Sequence, residues 1–309
     1  MMIVRKGPAF DSEWLCYTMN SWLGLRQVEH VQYGTAQKQF NISDAVHFSY
    51  PFPPLLEQEA IAGVLSDADA LIESLEQLIA KKRQIKQGTM QALLTGKQRL
   101  PGFEGKWEIK RLEQAGCCLR GVSYRGDSDL SLYDTAHTKR LLRSNNVQEA
   151  AVVTTDVQYV NEDRVSDSQI LQKGDILICM ANGSKALVGK SGLFNVDDGY
   201  EYTFGAFMGC FRTHSERANS AFIFSLFQTR QYRSYINNLL AGSSINNLRP
   251  SSIESLEFSF PEIPEQTAIA TILSDMDTEL AGLETRLAKT RQLKQGMMQE
   301  LLTGRIRLV

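Results

Sequence analysis

EQEAIAGVLSDADALIESLEQLIAKKRQIKQGTMQALLTGKQRL, residues 57–100, returns at residues 265–308 as EQTAIATILSDMDTELAGLETRLAKTRQLKQGMMQELLTGRIRL. Of the 44 aligned positions 26 are identical, without a gap, at a constant offset of 208 residues. Identity of that extent marks a duplication. Solenoid repeats run about 20–50 residues, so this longer period points to two large modules, each closed by the same segment. Within it, Ile61, Ala68 and Leu75 recur every seven residues, and Leu65, Ile72 and Ile79 interleave four residues later. The second copy keeps the pattern with Ile269, Met276, Leu283 and with Leu273, Leu280, Leu287. Such a/d spacing predicts a helical, coiled-coil-like seam. Pro264 suits a first helical turn, and the LTG endings supply Gly stops at Gly96 and Gly304. Unbroken, the run from Glu57 to Leu94 would reach about 57 Å; Gly88 and Gly296 are candidate bends.

An amphipathic helix ordinarily packs on its own domain. Two features favour pairing the copies with each other instead. Both seams end in the polar turn KxRQxKQG, where Lys82, Lys86 and Lys294 (with Thr290) leave the apolar pattern together. Two copies of one seam in one chain are also natural partners. The expectation is an antiparallel pair of long helices acting as a spacer. Ile61, Leu65, Ile72, Leu75, Ile269, Leu273, Leu280 and Leu283 form its candidate spacer seam.

The offset extends upstream in weaker form. GTAQKQFNIS at Gly34 aligns with GSSINNLRPS at Gly242, and EWLCYTMNSWL at Glu13 with AFIFSLFQTRQ at Ala221. Both stretches read as amphipathic helix, a polar turn, and a short strand ending in Phe-Pro. MMIVRK falls opposite MGCFRT, the expected end of a strand. The fold class expected is α/β (mixed α+β). Four segments follow: 1–50, the tail of a first module; 51–100, the first helical spacer; 101–260, a complete module; 261–309, the second spacer.

At this point the residues resemble the specificity subunits of type I restriction-modification systems. Phe52-Pro53-Pro54-Leu55 with Glu57-Gln58, and Phe260-Pro261 with Pro264-Glu265-Gln266, each lead into LSDxD and the long helix. Gly174-Asp175-Ile176-Leu177 and Gly205-Ala206-Phe207-Met208 resemble strand motifs of the family's target-recognition domains. The resemblance implies two such domains with a twisted mixed sheet, separated by two antiparallel helices. Each domain would read half of a split double-stranded DNA target. The helices would set the gap and dock methyltransferase (modification) subunits and, through them, restriction subunits. The subunit itself would do no chemistry. The sequence departs from the pattern in lacking most of a first recognition domain. Two copies of the chain pairing, or a second polypeptide, would complete it. A decoy that binds methyltransferase but reads no sequence is the alternative, with Trp14, Leu15, Tyr17, Trp22 and Leu23 left as an apolar patch.

Composition limits the other classes. Apolar content of 43% and charged content of 22% are ordinary for a globular protein. No apolar run approaches the roughly 18 residues of a membrane span, and the N-terminus lacks an apolar signal region. The five cysteines form no CxxC pair, which reads as reduced thiols in a cytoplasmic protein. A net charge of −2 means that any contact with phosphates must come from local clusters.

Motifs for chemistry fail on spacing. NGSKALVGKS has five residues between Gly183 and Gly189-Lys190-Ser191, where a phosphate loop has four, and a strand-like stretch follows instead of a helix. PFPPLL has Phe52 where an amino-methyltransferase motif wants a polar residue. Glu104-Gly105-Lys106 and Glu108-Ile109-Lys110 lack the Pro-Asp of a nuclease site and read as a solvated linker. The four histidines pair with no cysteine at ligand spacing, so no metal site and no cofactor are expected. Asp127, Asp129 and Asp134 read as a solvated loop.

The module at 101–260 offers alternating stretches such as VVTTDVQYV and GDILICM, and a clear helix at 221–240. Arg and Lys read guanine, and Asn and Gln read adenine. KRLLRSNNVQ supplies Lys139, Arg140, Arg143, Asn145 and Asn146; a second loop supplies Asn182, Ser184, Lys185 and Lys190. A third, Ser243-Ser244-Ile245-Asn246-Asn247-Leu248-Arg249, supplies Asn246, Asn247 and Arg249. These are the candidate DNA-binding residues, with Arg230 and Arg233 as phosphate holders.

Overall fold

The computed structural model describes residues 9–241 and 246–308. In chain order its helices are α1 (Ser12–Asn20), α2 (Trp22–Val31), α3 (Ile42–Ala45), α4 (Leu55–Leu94), α5 (Gly126–Asp129), α6 (Ser220–Phe227), α7 (Arg230–Ala241), α8 (Pro250–Glu254) and α9 (Ile263–Leu301). The strands are β1 (Glu108–Arg111), β2 (Gly116–Arg120), β3 (Leu130–Ser131), β4 (Thr138–Leu142), β5 (Val147–Gln148), β6 (Ala151–Val152), β7 (Gln158–Asn161), β8 (Ile176–Cys179), β9 (Ser191–Leu193), β10 (Tyr202–Phe204), β11 (Met208–Thr213) and β12 (Glu257–Phe260). The mixed α+β class and both long helices are as expected, and α4 and α9 run on through Gly88 and Gly296. The expected MMIVRK strand end lies outside the described residues, as do Ser243, Ser244 and Ile245.

Packing divides the chain into two compact units, Met1–Gln84 with Thr278–Val309, and Ile85–Asp277. Both boundaries fall inside the long helices. Each unit therefore combines the leading part of one duplicated segment with the trailing part of the other.

In the first unit α1 is started by Asp11, whose carboxylate accepts the Glu13 and Trp14 amides at 2.9 and 2.8 Å. Gln58 ties this cap to α4: its amide oxygen accepts from Asp11 N (2.8 Å) and its nitrogen donates to Pro53 O (2.8 Å). Trp14 is buried with Ile61, Ala62, Leu65, Leu301 and Leu302, and its ring meets Phe52 edge-on at 5.5 Å. Leu15, Tyr17 and Leu23 are half-buried; only Trp22, 43% exposed, remains of the expected apolar patch. The trailing part of α9 runs antiparallel to α4, with Asp69–Lys294 and Glu76–Arg291 at 2.5 Å and Arg83–Glu284 at 2.6 Å. Exposed pairs of this kind contribute about 0.2–1 kcal/mol each, against about 1.5–3 kcal/mol for a buried Leu or Ile. The seam supplies the stability and the ion pairs fix its register.

The second unit repeats these contacts at the same offset. Asn219 caps α6 through the Ala221 and Phe222 amides, and Gln266 joins Asn219 N to Pro261 O at 2.9 Å each. Phe222, Ile269, Ala270, Leu273, Leu93 and Leu94 share one core, and Lys86 pairs with Asp277. Lys82, Lys86 and Lys294 thus stay on the seam at half-buried positions, their stems covering apolar surface while their ammonium groups pair with acids.

The body of this unit holds a six-stranded sheet, β2-β11-β8-β9-β6-β5, a four-stranded sheet, β10-β4-β7-β3, and the pair β1-β12. GDILICM does not alternate because β8 is buried on both faces. Ile176 and Ile178 join the core that includes α6 and α7 residues, while Leu177 and Cys179 join a second core with Leu142, Tyr202 and Phe204 of the other sheet. VVTTDVQYV is broken between β6 and β7 at Asp156, where φ is 55°. The helix expected at 221–240 is two, because Thr229 ends α6 and starts α7: its hydroxyl donates to Leu226 O and accepts from Tyr232 N. Glu108–Arg111 is a strand rather than a linker, paired with β12. The equivalent Phe-Pro stretch before α4 forms no strand, since a strand needs a ladder partner. Asp129 is buried and salt-bridged to Arg164 at 2.9 Å, not solvated.

Candidate nucleic-acid interface

Two of the three candidate loops lie side by side. After β8 the chain turns out at Ala181, and residues 246–249 return against it: Asn247 bridges Ala181 antiparallel, and Leu248 N donates to Met180 O at 2.8 Å. Asn246 Nδ2 donates to Gly183 O at 3.1 Å, and Asn182 Oδ1 accepts Ser184 N at 3.0 Å, an Asx turn. The loop from Asn182 to Lys190 is pinned from beneath by α7. Arg233 donates to Ala186 O (3.2 Å) and Val188 O (2.6 Å), and Tyr232 Oη to Gly189 O (2.9 Å). Gly189 is obligatory here, since φ is +81° and a Cβ would sit 2.9 Å from Ile236. Arg233 is therefore spent on loop carbonyls rather than on phosphate.

The side chains left facing out are those a nucleic acid would use. Ser184, Lys185, Asn247 and Arg249 are exposed, and Asn182, Lys190 and Asn246 half-buried. Among the described residues no carboxylate pairs with Lys185, Lys190 or Arg249, and Arg230 on α7 is likewise exposed and unpaired. The Asn247 amide has no hydrogen-bond partner there either, so both its donor and its acceptor are available for the bidentate pattern of adenine.

The first candidate segment behaves differently. Lys139 and Arg140 sit at the start of β4, whereas Arg143, Asn145 and Asn146 follow its end. Lys139 pairs with Glu201 at 2.5 Å and Glu162 at 3.7 Å. Arg140 pairs with Asp134 at 2.9 Å, bonds the Tyr202 hydroxyl at 3.1 Å, and stacks on Tyr200 with 3.2 Å to the ring centroid. Arg143 and Asn145 both hold Asp156, at 3.3 and 2.9 Å. Asn146 is fully buried; it accepts Arg143 N and donates to Val153 O and Thr155 O. These residues brace the second sheet and its turn. Their type suggested base reading, but compensating acids remove their charge from the phosphate account.

One neighbour of the paired loops was read from sequence only as part of a strand motif. Phe207 is 69% exposed, and its carbonyl accepts both Met180 N (2.9 Å) and Ala181 N (3.1 Å). The thiols nearby are inert. Burial pushes Cys179 up, against the opposing pull of Asn182 and Lys190, and pushes Cys118 up to about 12; a protonated thiol is no nucleophile. Among the described residues no group of His, Cys, Asp and Glu is placed to hold a metal ion, and no helix is long and apolar enough to cross a membrane.

Residues 135–293 match a sequence profile described as the type I restriction modification DNA specificity domain. Over 200 residues the chain is 30% identical to the EcoKI type I restriction enzyme specificity subunit of Escherichia coli strain K12, covering 65% of this chain and 42% of that one. Over 202 residues it is 30% identical to the StySPI specificity subunit of Salmonella potsdam, covering 64% and 43%. The chain thus spans less than half the length of these curated relatives. In fold it resembles the crystal structure of a type I restriction-modification S subunit from M. genitalium, with a TM-score of 0.61 at 15% identity over 94% of this chain and 72% of that one. With the profile covering half of its length, the chain belongs to the family of type I restriction-modification DNA specificity domains.

Proposed function

We propose that the chain is a DNA sequence-specificity subunit that reads one half-site of double-stranded DNA and has no chemistry of its own. The carrying observation is the meeting of the Asn182–Lys190 loop with Asn246–Arg249, where amides and unpaired cations share one surface. Asn182, Asn246 and Asn247 are the base readers; Ser184, Lys185, Lys190 and Arg249 hold phosphates or guanine. Membership of the type I restriction-modification family supports the partner reading: α4 and α9 dock methyltransferase subunits and, through them, restriction subunits, inside the cytoplasm where the DNA lies.

Binding of the full chain to a duplex enriched from a random library, followed against salt, tests this. Each of Lys185→Ala and Arg249→Ala should reduce the slope of log K against log salt by about one. Arg140→Ala should leave the slope unchanged, since that cation is already paired. Failure to enrich any duplex, or slopes unmoved by Lys185 and Arg249, contradicts the reading.

Assembly with a second copy is supported by the pairing chemistry. The leading part of either duplicated segment accepts the trailing part of the other with the same ion pairs, so two chains can exchange them without a new contact. Light scattering that finds monomers at every concentration, with and without DNA, removes this arrangement.

A further inference from the structure

Phe207 stands apart from the other exposed apolar side chains by what holds it and what surrounds it. It sits in the turn Gly205–Met208, where Met208 N donates to Gly205 O at 2.8 Å and Gly205 N to Leu142 O at 3.0 Å. Its own carbonyl takes two amides from the start of the Asn182 loop. Gly121 passes so close that a Cβ there would lie 2.0 Å from Gly205 O, so the turn has no slack on that side. The backbone is fixed, and the ring is left in solvent, 69% exposed.

Its surroundings are polar and cationic. The Phe207 carbonyl anchors Met180 and Ala181; Asn247 pairs with Ala181; Asn182, Lys185 and Arg249 follow on the same two segments. A protein partner would want a wider apolar patch around an anchor of this size. A rigid ring beside the free Asn247 amide and unpaired cations suits a duplex instead. The ring meets base faces, the amides take base edges, and the cations hold the flanking phosphates. Rigidity matters because unstacking costs free energy, and a side chain on a yielding loop would fold back instead of opening the step.

We propose that Phe207 is an apolar wedge that inserts between adjacent base pairs of the bound half-site and unstacks one step. This rests on the DNA-reading function above. It adds a second source of selectivity, because steps such as TA and CA/TG open more readily than others. Phe207 would then select sequence at a step where it forms no hydrogen bond.

The test uses the full chain and a duplex enriched from a random library, with methyltransferase subunits added if the chain alone retains none. A fluorescent base analogue, 2-aminopurine or pyrrolocytosine, is placed at each position in turn. With protein saturating in every case, the expected result is a several-fold rise at one step, kept by Phe207→Leu and abolished by Phe207→Ala. A base flipped by a methyltransferase would also brighten, but independently of residue 207. Phe207→Ala should melt within a degree or two of the parent, as an exposed side chain requires. Bound duplex with no brightening at any step, or brightening unchanged in Phe207→Ala, overturns the wedge while leaving DNA reading intact. So does a Phe207→Ala protein that loses methyltransferase subunits while keeping the bright step. No enriched duplex under either condition overturns the DNA reading itself, and the wedge with it.

Discussion

Glu57 enters the first turn of α4 buried, and Arg307 meets it with two nitrogens at 2.5 Å. Glu265 enters α9 the same way against Arg99 at 2.7 Å. Hydrogen bonding to Arg307 holds the Glu57 carboxyl below its ordinary value of 4.5, outweighing the opposing effect of burial. A carboxyl lowered in the folded state stabilises the fold above that ordinary value and loses the contribution as pH falls through the folded one. Melting temperature should therefore drop as pH is lowered below 4.5. Glu57→Gln should melt lower at neutral pH and show a shallower acid drop; an identical acid limb in the variant would remove Glu57 as its source. Asn146 makes a separate case. Its amide satisfies three backbone groups inside the fold, and burying such groups unpaired costs about 1–3 kcal/mol. Asn146→Ala should lose about 2 kcal/mol in denaturant unfolding and leave the DNA salt slope unchanged. A base-reading asparagine, being uncharged, would also leave that slope alone, but would keep the stability and relax specificity at one position of the target instead.

At the scale of elements, periodicity was legible and proximity was not. The a/d positions Ile61, Leu65, Leu75 and Ile79 are buried, and the residues flanking Leu75 and Ile79 are exposed, because a seven-residue repeat leaves a helix little choice of face. β8 could not be oriented from its sequence, since both faces are covered and nothing alternates. The meeting of Ala181 with Asn247 left no local signal either; it is a tertiary contact between segments that each read as a polar turn. The pairing of Lys139 and Arg140 was illegible for a related reason, as their acids, Asp134, Glu162 and Glu201, come from three separate places in the chain. The hairpin β5–β6 carries its own irregularity. Its two turn residues, Glu149 and Ala150, hold φ of 46° and 68°, a conformation that favours Asn-Gly. Left-handed backbone costs a non-glycine residue about 1–2 kcal/mol. Replacing the pair by Asn-Gly should stabilise the protein by about 1 kcal/mol in denaturant midpoint. No gain would mean that contacts at Glu149 or Ala150 offset the strain.

For the whole molecule, the duplication set more than the presence of two helices. The offset of 208 residues survives in the structure to single hydrogen bonds: Asp11 and Asn219 cap equivalent helices, and Gln58 and Gln266 tie those caps to equivalent long helices. Sequence segments suggested spacers separate from domains, whereas packing places each half of a long helix with the opposite half of its copy. A helix shared in this way serves both as a seam and as part of each unit's core. As proposed above, this molecule selects the DNA sequence that methyltransferase subunits modify. Mapping methylated bases in cells that carry the methyltransferase subunits tests it most directly, comparing the parent chain, an Asn182→Ala, Asn247→Ala variant, and no chain. One methylated motif is expected with the parent, relaxation at particular positions of that motif with the variant, and no motif without the chain. Methylation that is the same whether or not the chain is present would contradict it.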